Sequence, residues 1–124
     1  MVTSLGVDII EVSRIKKALD RWGERFLRRV FTPEEKRYSM RKAFPEQSLA
    51  ARFAAKEAVM KALGTGLSGG IAWTDVEIVN NPYGKPEVKL GRKITSLIGE
   101  KKVKISLSHT REFAVAFAVL EEKE

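Results

Sequence analysis

The chain has 124 residues and no cysteine, which allows one hydrophobic core and excludes disulfide scaffolds, thiol nucleophiles and cysteine-ligated zinc. Its formal net charge of +7 points to anionic partners: nucleic acid, membrane surface, acidic protein or phosphorylated small molecule. The N-terminus lacks a basic, apolar leader, and no apolar run approaches the ~20 residues of a membrane span, so a single cytoplasmic domain over 1–124 with no membrane partner is expected.

Leu5 to Ile10 is apolar and rich in β-branched residues, and reads as a buried strand. Ser13 then offers an N-cap for a helix running towards Val30. Along that helix Val12, Ile15, Leu19, Trp22, Phe26 and Val30 fall on one side at about 100° per residue. Arg14, Lys17, Arg21, Arg25 and Arg28 fall on the other, and Gly23 offers a point for a break. Thr32-Pro33-Glu34-Glu35 is a helix start with a Thr cap, proline first and Glu at the third position; it predicts a helix to about Lys42. A longer helix is predicted from Glu46 to Leu63, closed by Gly64, with a glycine-rich loop from Thr65 to Gly70. Strands follow at Thr74–Asn80 and Pro86–Leu90 around an Asn81–Gly84 turn, then a helix over Arg92–Ile98 ended by Gly99. Lys102–Ser108 and Phe113–Leu120 read as two further strands joined through His109-Thr110-Arg111-Glu112. The pattern is α+β, with helices interspersed in a mainly antiparallel sheet.

Several polar residues stand out against this frame. Asp8 lies inside an apolar strand, where an unpaired carboxylate costs several kcal/mol, so it needs a helix to cap, an arginine or a cation. Phe53, Glu57 and Lys61 are spaced i, i+4, i+8 on one helix stripe. An ordinary surface Glu–Lys pair, worth about 0.3–0.5 kcal/mol, explains the last two; so does a site for metal-bridged phosphates, with Arg52, Lys56 and Lys61 crowding one acid. The loop after Gly64 is not a Walker P-loop, since it follows its helix and lacks Gly-Lys-Ser/Thr, yet its amides suit a phosphate. His109, the sole histidine, ends an apolar strand. The basic stripe repels itself at i, i+4, which favours an acidic partner; nucleic acid fits less well, because no nucleic-acid module or interleaved aromatics accompany it.

Together these blocks resemble the holo-[acyl-carrier-protein] synthases, the small phosphopantetheinyl transferases. The resemblance rests on Gly6-Val7-Asp8-Ile9-Ile10, Phe31-Thr32 with Glu35, Arg52 through Gly66 with Lys56-Glu57 and Lys61, Trp73 with Asp75 and Glu77, Gly84-Lys85-Pro86, and Ser106 through Thr110. It implies the phosphopantetheinyl transferase-like fold, a homotrimer with active sites between subunits, and transfer of phosphopantetheine from coenzyme A to a serine of acyl carrier protein. It implies Asp8 and Glu57 as Mg²⁺ ligands, with Lys61 beside the pyrophosphate as the third catalytic residue. Arg52, Gly64, Thr65, Gly66, Gly84, Lys85, Pro86, His109 and Thr110, with Lys61, are implied to hold coenzyme A. Arg14 and Arg21, with Arg25 on the same stripe, are implied to dock the carrier's acidic helix. Pro82-Tyr83 departs from the acidic or polar turn expected before Gly84.

Overall fold

Ten residues at the start form one extended strand, β1 (Val2–Glu11), in a computed structural model that describes residues 1–64, 66 and 69–123. The strand is longer than predicted and buried on one face only: Gly6 and Ile10 point inward, whereas Leu5, Val7 and Ile9 are exposed. A continuous apolar run marks burial on both faces only if both are covered, and in this chain one is open.

The predicted long helix is two. α1 (Val12–Trp22) ends at Gly23, whose φ of 53° favours glycine, and α2 (Glu24–Val30) starts from it. The break resets the helical phase. Trp22, expected on the buried stripe, is 47% exposed, and Leu27 enters the core instead. Ser13 is not the cap either. Glu11 occupies the cap position without a side-chain bond, and the amide of Val12 donates to the Glu112 carbonyl at 2.8 Å.

Thr32 caps α3 (Pro33–Met40) in a full capping box with Glu35, as its sequence predicts. α4 (Pro45–Leu63) then runs through the middle of the molecule and ends at Gly64 in the left-handed conformation. It is buried nearly all round because its partners approach closely. Ala50, Ala54, Ala55, Ala58 and Ala62 lie along it, Ala114, Ala116 and Ala118 lie on the strand 113–121 packed against it, and all eight are buried. Gly6 takes the approach furthest: a Cβ there would lie 1.9 Å from the Ala58 carbonyl oxygen.

The remaining elements are β2 (Val76–Asn80), β3 (Pro86–Leu90), α5 (Arg92–Ile98), β4 (Lys102–His109) and β5 (Phe113–Glu121). Residues 73–75 form a short 3₁₀ turn where the sequence suggested the start of β2. Described strands make two antiparallel sheets, one ordered β1-β5-β4 and one pairing β2 with β3. The fold is α+β, as the sequence indicates.

One buried ion pair joins α3, α4 and β2. Lys56 Nζ lies 2.7 Å from Glu35 Oε1, both side chains being 0% exposed, and it also donates to the carbonyls of Trp73 and Val76. Glu35 accepts further from the amides of Thr32 at 2.8 Å and Ile78 at 2.7 Å. Burial draws the Lys56 ammonium below its ordinary pKa, and Glu35 opposes that shift. Lys56→Met strands a buried carboxylate without its cation, so a loss of about 3–5 kcal/mol is expected in urea unfolding. A loss under about 1 kcal/mol would mean that the pair is dispensable.

Candidate active site

Three of the sequence-selected residues meet where α4 crosses β1. Asp8 points to the covered side of its strand, its side chain 15% exposed, and Lys61 Nζ lies 3.1 Å from Asp8 Oδ1. The same ammonium donates to the Val7 carbonyl at 3.0 Å. Glu57 sits one turn before Lys61 on the same stripe. Partial burial raises the Glu57 carboxyl above its ordinary range, and the neighbouring Asp8 carboxylate raises it further. Lys61 and Arg14 pull it back.

Two carboxylates that repel each other, with one ammonium nearby, suit a hard divalent cation. Mg²⁺ commonly takes one or two protein carboxylates and completes its shell with water and substrate phosphates. Among the described residues no group of three or more His, Asp or Glu converges, so phosphates or water would have to supply the remaining ligands. Asp8 and Glu57 fit that role. Lys61 puts a positive charge beside them, which suits a phosphate.

Arg52 and Lys56 do not join this cluster, contrary to the crowding expected around Glu57. They lie on a different stripe of α4, one turn apart, and face α3 and β2. Lys56 belongs to Glu35. Arg52 lines a separate cleft of about 410 Å³, together with Tyr38, Lys42, Phe44, Asn80 and, from further along the chain, Gly84, Pro86 and His109. Its guanidinium lies 4.0 Å over the Tyr38 ring and donates to Asn80 Oδ1 at 2.6 Å. Its Nε is buried with no partner among the described residues. Burial lowers the Arg52 pKa, while Tyr38 and Glu35 oppose the shift. The guanidinium puts a positive charge on the cleft wall, which suits an anion.

The turn beside the cleft is held firmly. Asn81 Oδ1 accepts from the amides of Tyr83 and Lys85, Gly84 N donates to the Asn81 carbonyl, and Asn80 Nδ2 donates to the Gly84 carbonyl. Gly84 adopts φ 83°, a glycine conformation that places it on the cleft wall. The departure at Pro82-Tyr83 leaves this turn well formed.

Other sequence-selected residues stand elsewhere. Lys85 borders a groove between β3 and β4, on the other side of Pro86. The Thr110 hydroxyl accepts from the amides of Glu112 and Phe113 and so closes the β4–β5 hairpin. Gly64 caps α4 directly after the Lys61 turn; Thr65 lies outside the described residues, and Gly66 follows it with φ 57°. Arg21 and Arg25 flank the exposed Trp22 ring at 4.9 and 5.6 Å. Sequence reasoning missed Tyr38, Lys42, Phe44 and Asn80. Only Phe44, an aromatic directly before Pro45, offered a signal.

The two groups occupy opposite sides of one helix. Arg52 and Lys61 are nine residues apart on α4, a spacing that turns them by about 180° and separates them by about 13 Å along the axis. One chain therefore presents two polar groups facing away from each other.

Comparison with known proteins bears on what these two groups belong to. Residues 4–118 match the model of the 4'-phosphopantetheinyl transferase superfamily. A holo-[acyl-carrier-protein] synthase of Protochlamydia amoebophila is 50% identical over 119 residues, covering 96% of this chain and 98% of that protein. The crystal structure of the Neisseria meningitidis synthase superposes with a TM-score of 0.89 at 35% identity, covering 98% of this chain and 100% of that one. The Bacillus anthracis synthase, solved in complex with CoA (3',5'-ADP), gives 0.84 at 38% identity, with 99% of each chain covered. The chain thus belongs to the holo-[acyl-carrier-protein] synthases of the phosphopantetheinyl transferase superfamily.

Proposed function

We propose that the chain moves the phosphopantetheine arm of coenzyme A onto a serine hydroxyl of an apo acyl carrier protein, in the cytoplasm and in support of fatty acid biosynthesis. The observation that carries this reading is the convergence of Asp8, Glu57 and Lys61 at the α4–β1 crossing. The serine oxygen attacks the β-phosphorus of the coenzyme, a new phosphodiester forms, and the bond to the nucleotide breaks to release adenosine 3',5'-bisphosphate. The serine proton leaves as the bond forms. No nucleophile is required of the enzyme, which accords with the lack of cysteine. Its task is to place the pyrophosphate and stabilise the charge that develops there.

Mg²⁺ held by Asp8 and Glu57 would supply Lewis-acid stabilisation of the pyrophosphate oxygens. Lys61 Nζ, anchored on the Val7 carbonyl and Asp8, stays within reach of the same phosphates. The Arg52 cleft, with His109, Gly84 and Pro86 on its walls, takes the nucleotide end of the donor. Arg14 acts on the electrostatics of Glu57, and Arg21 and Arg25 lie further along the same surface. This basic face is the dock for the acidic carrier and leads its serine to the pyrophosphate.

A homotrimer completes the site. Half-sites on opposite sides of α4 come together only if one copy's Asp8–Glu57–Lys61 group faces the next copy's Arg52 cleft, and such head-to-tail contacts close into a ring when three equal rotations complete a turn. Leu5, Val7 and Ile9 of β1 with Phe113, Val115 and Phe117 of β5 give each copy an exposed apolar sheet face to bury in that ring.

The test is direct. Apo carrier protein incubated with the protein, coenzyme A and Mg²⁺ should gain the mass of one phosphopantetheine, and no gain across salt and divalent-metal conditions would overturn the reading. Arg14→Glu with Arg21→Glu should raise the KM for carrier at least tenfold and change that for coenzyme A less than about threefold. Equal changes in both constants would reject the docking role.

A further inference from the structure

Cations that bind phosphate do not by themselves hold the rest of a nucleotide, and the Arg52 cleft carries an aromatic ring to which the reading above gives no task. Phe44 lines that cleft and is 61% exposed. The fold makes little use of it: the ring lies outside the core, where apolar burial would have stabilised the protein. Yet its backbone is fixed. Phe44 is the N-cap of α4, its carbonyl accepts from the Gln47 amide at 3.1 Å, and Pro45 follows at the first helical position. The ring is thus mounted on the rigid start of a helix.

The same cleft supplies the charges a phosphorylated ligand needs. Lys42 and Arg52 lie 4.5 and 4.0 Å over the Tyr38 ring, which holds two cations near each other, and the buried Arg52 Nε has no partner among the described residues. His109 stands on the same wall. Phosphate-seeking cations beside a flat, exposed apolar ring form a pairing that suits a nucleotide, whose base needs a stacking surface.

We infer that Phe44 is the stacking platform for the purine base of the donor and so sets the preference for a nucleotide donor over one without a base. This inference rests on the coenzyme A reading of the cleft. Phe44 touches neither the pyrophosphate group nor the Asp8–Glu57–Lys61 cluster in that reading, so it acts on donor affinity and not on the transfer step.

The experiment compares wild type, Phe44→Ala and Phe44→Trp with two donors, coenzyme A and an analogue that keeps its ribose and phosphates but lacks the base. Phe44→Ala should raise the KM for coenzyme A about tenfold, keep kcat at saturation, and leave the KM of the base-less donor unchanged. Phe44→Trp should restore the wild-type constant for coenzyme A. Calorimetry with adenosine 3',5'-bisphosphate should show the same tenfold weakening in the alanine variant without any turnover. An unchanged KM for coenzyme A, or an equal rise for both donors, overturns the inference. Wild-type protein that binds adenosine 3',5'-bisphosphate through Phe44 but never modifies a carrier would instead sink the transfer reading and leave the platform standing.

Discussion

Glu57→Gln and Asp8→Asn are each expected to lower kcat for carrier modification on the order of 10³-fold while leaving the protein folded. The size follows from losing several kcal/mol of charge stabilisation at the pyrophosphate. Retention of the fold follows from position. Neither carboxylate holds the core together as Glu35 does, and the two raise each other's energy by like-charge repulsion. Full activity of either variant at limiting Mg²⁺ would refute the metal assignment.

The raised Glu57 carboxyl adds a pH signature with a definite sign. The folded protein holds this proton to higher pH than the unfolded chain does. As pH rises from the ordinary carboxylate range to the raised folded value, the unfolded chain ionises first, and the group's contribution to stability falls. Metal-free wild type should therefore lose melting temperature across that window relative to Glu57→Gln. Mg²⁺ competes with the proton, so added Mg²⁺ should raise the wild-type melting temperature above the window and have little effect below it. Thermal melts at several pH values, with and without Mg²⁺, measure both. A metal effect independent of pH, or one retained by Glu57→Gln, would contradict the assignment.

Two inactive variants should restore each other when mixed. Glu57→Gln removes one half-site and leaves the Arg52 cleft intact; Arg52→Ala does the reverse. Each copy carries the two halves on opposite sides of α4, so co-refolded mixtures place an intact metal half of one copy against an intact cleft of the next. For random 1:1 assembly into a closed head-to-tail ring, about one quarter of the sites are complete, and about one quarter of wild-type activity should return. No recovery would place both halves of each site within one chain. Val7→Lys with Phe117→Glu, on paired positions of the exposed sheet face, should give monomers in sedimentation and abolish recovery together with activity.

Local signals were legible in the sequence because they rest on short-range physics. The capping box at Thr32 and Glu35, the glycine stop at Gly64 and the alternation of Val76 and Ile78 appear where the residues place them. So does the stripe of Glu57 and Lys61, since helical spacing alone puts them on one face. The identity of Asp8 as an anomaly was likewise a matter of chemistry, a carboxylate in an apolar strand.

What faces what was decided by tertiary packing. Trp22 left its predicted buried stripe because Gly23 breaks the helix, and Ser13 lost the cap because Glu112, a hundred residues on, serves the first amide. Lys56 sits beside Glu57 in sequence yet pairs with Glu35, since adjacent helical residues point about 100° apart and only one of those directions is core. Arg52 parted from Glu57 for the same reason. The amino-acid sequence by itself determined the chemistry available along α4, because residue type and helical period need no partner to be read. Only the tertiary structure, through the alanine-lined crossing of α4 with β1 on one side and the Glu35–Lys56 tie to α3 and β2 on the other, decided that this chemistry is split between two faces.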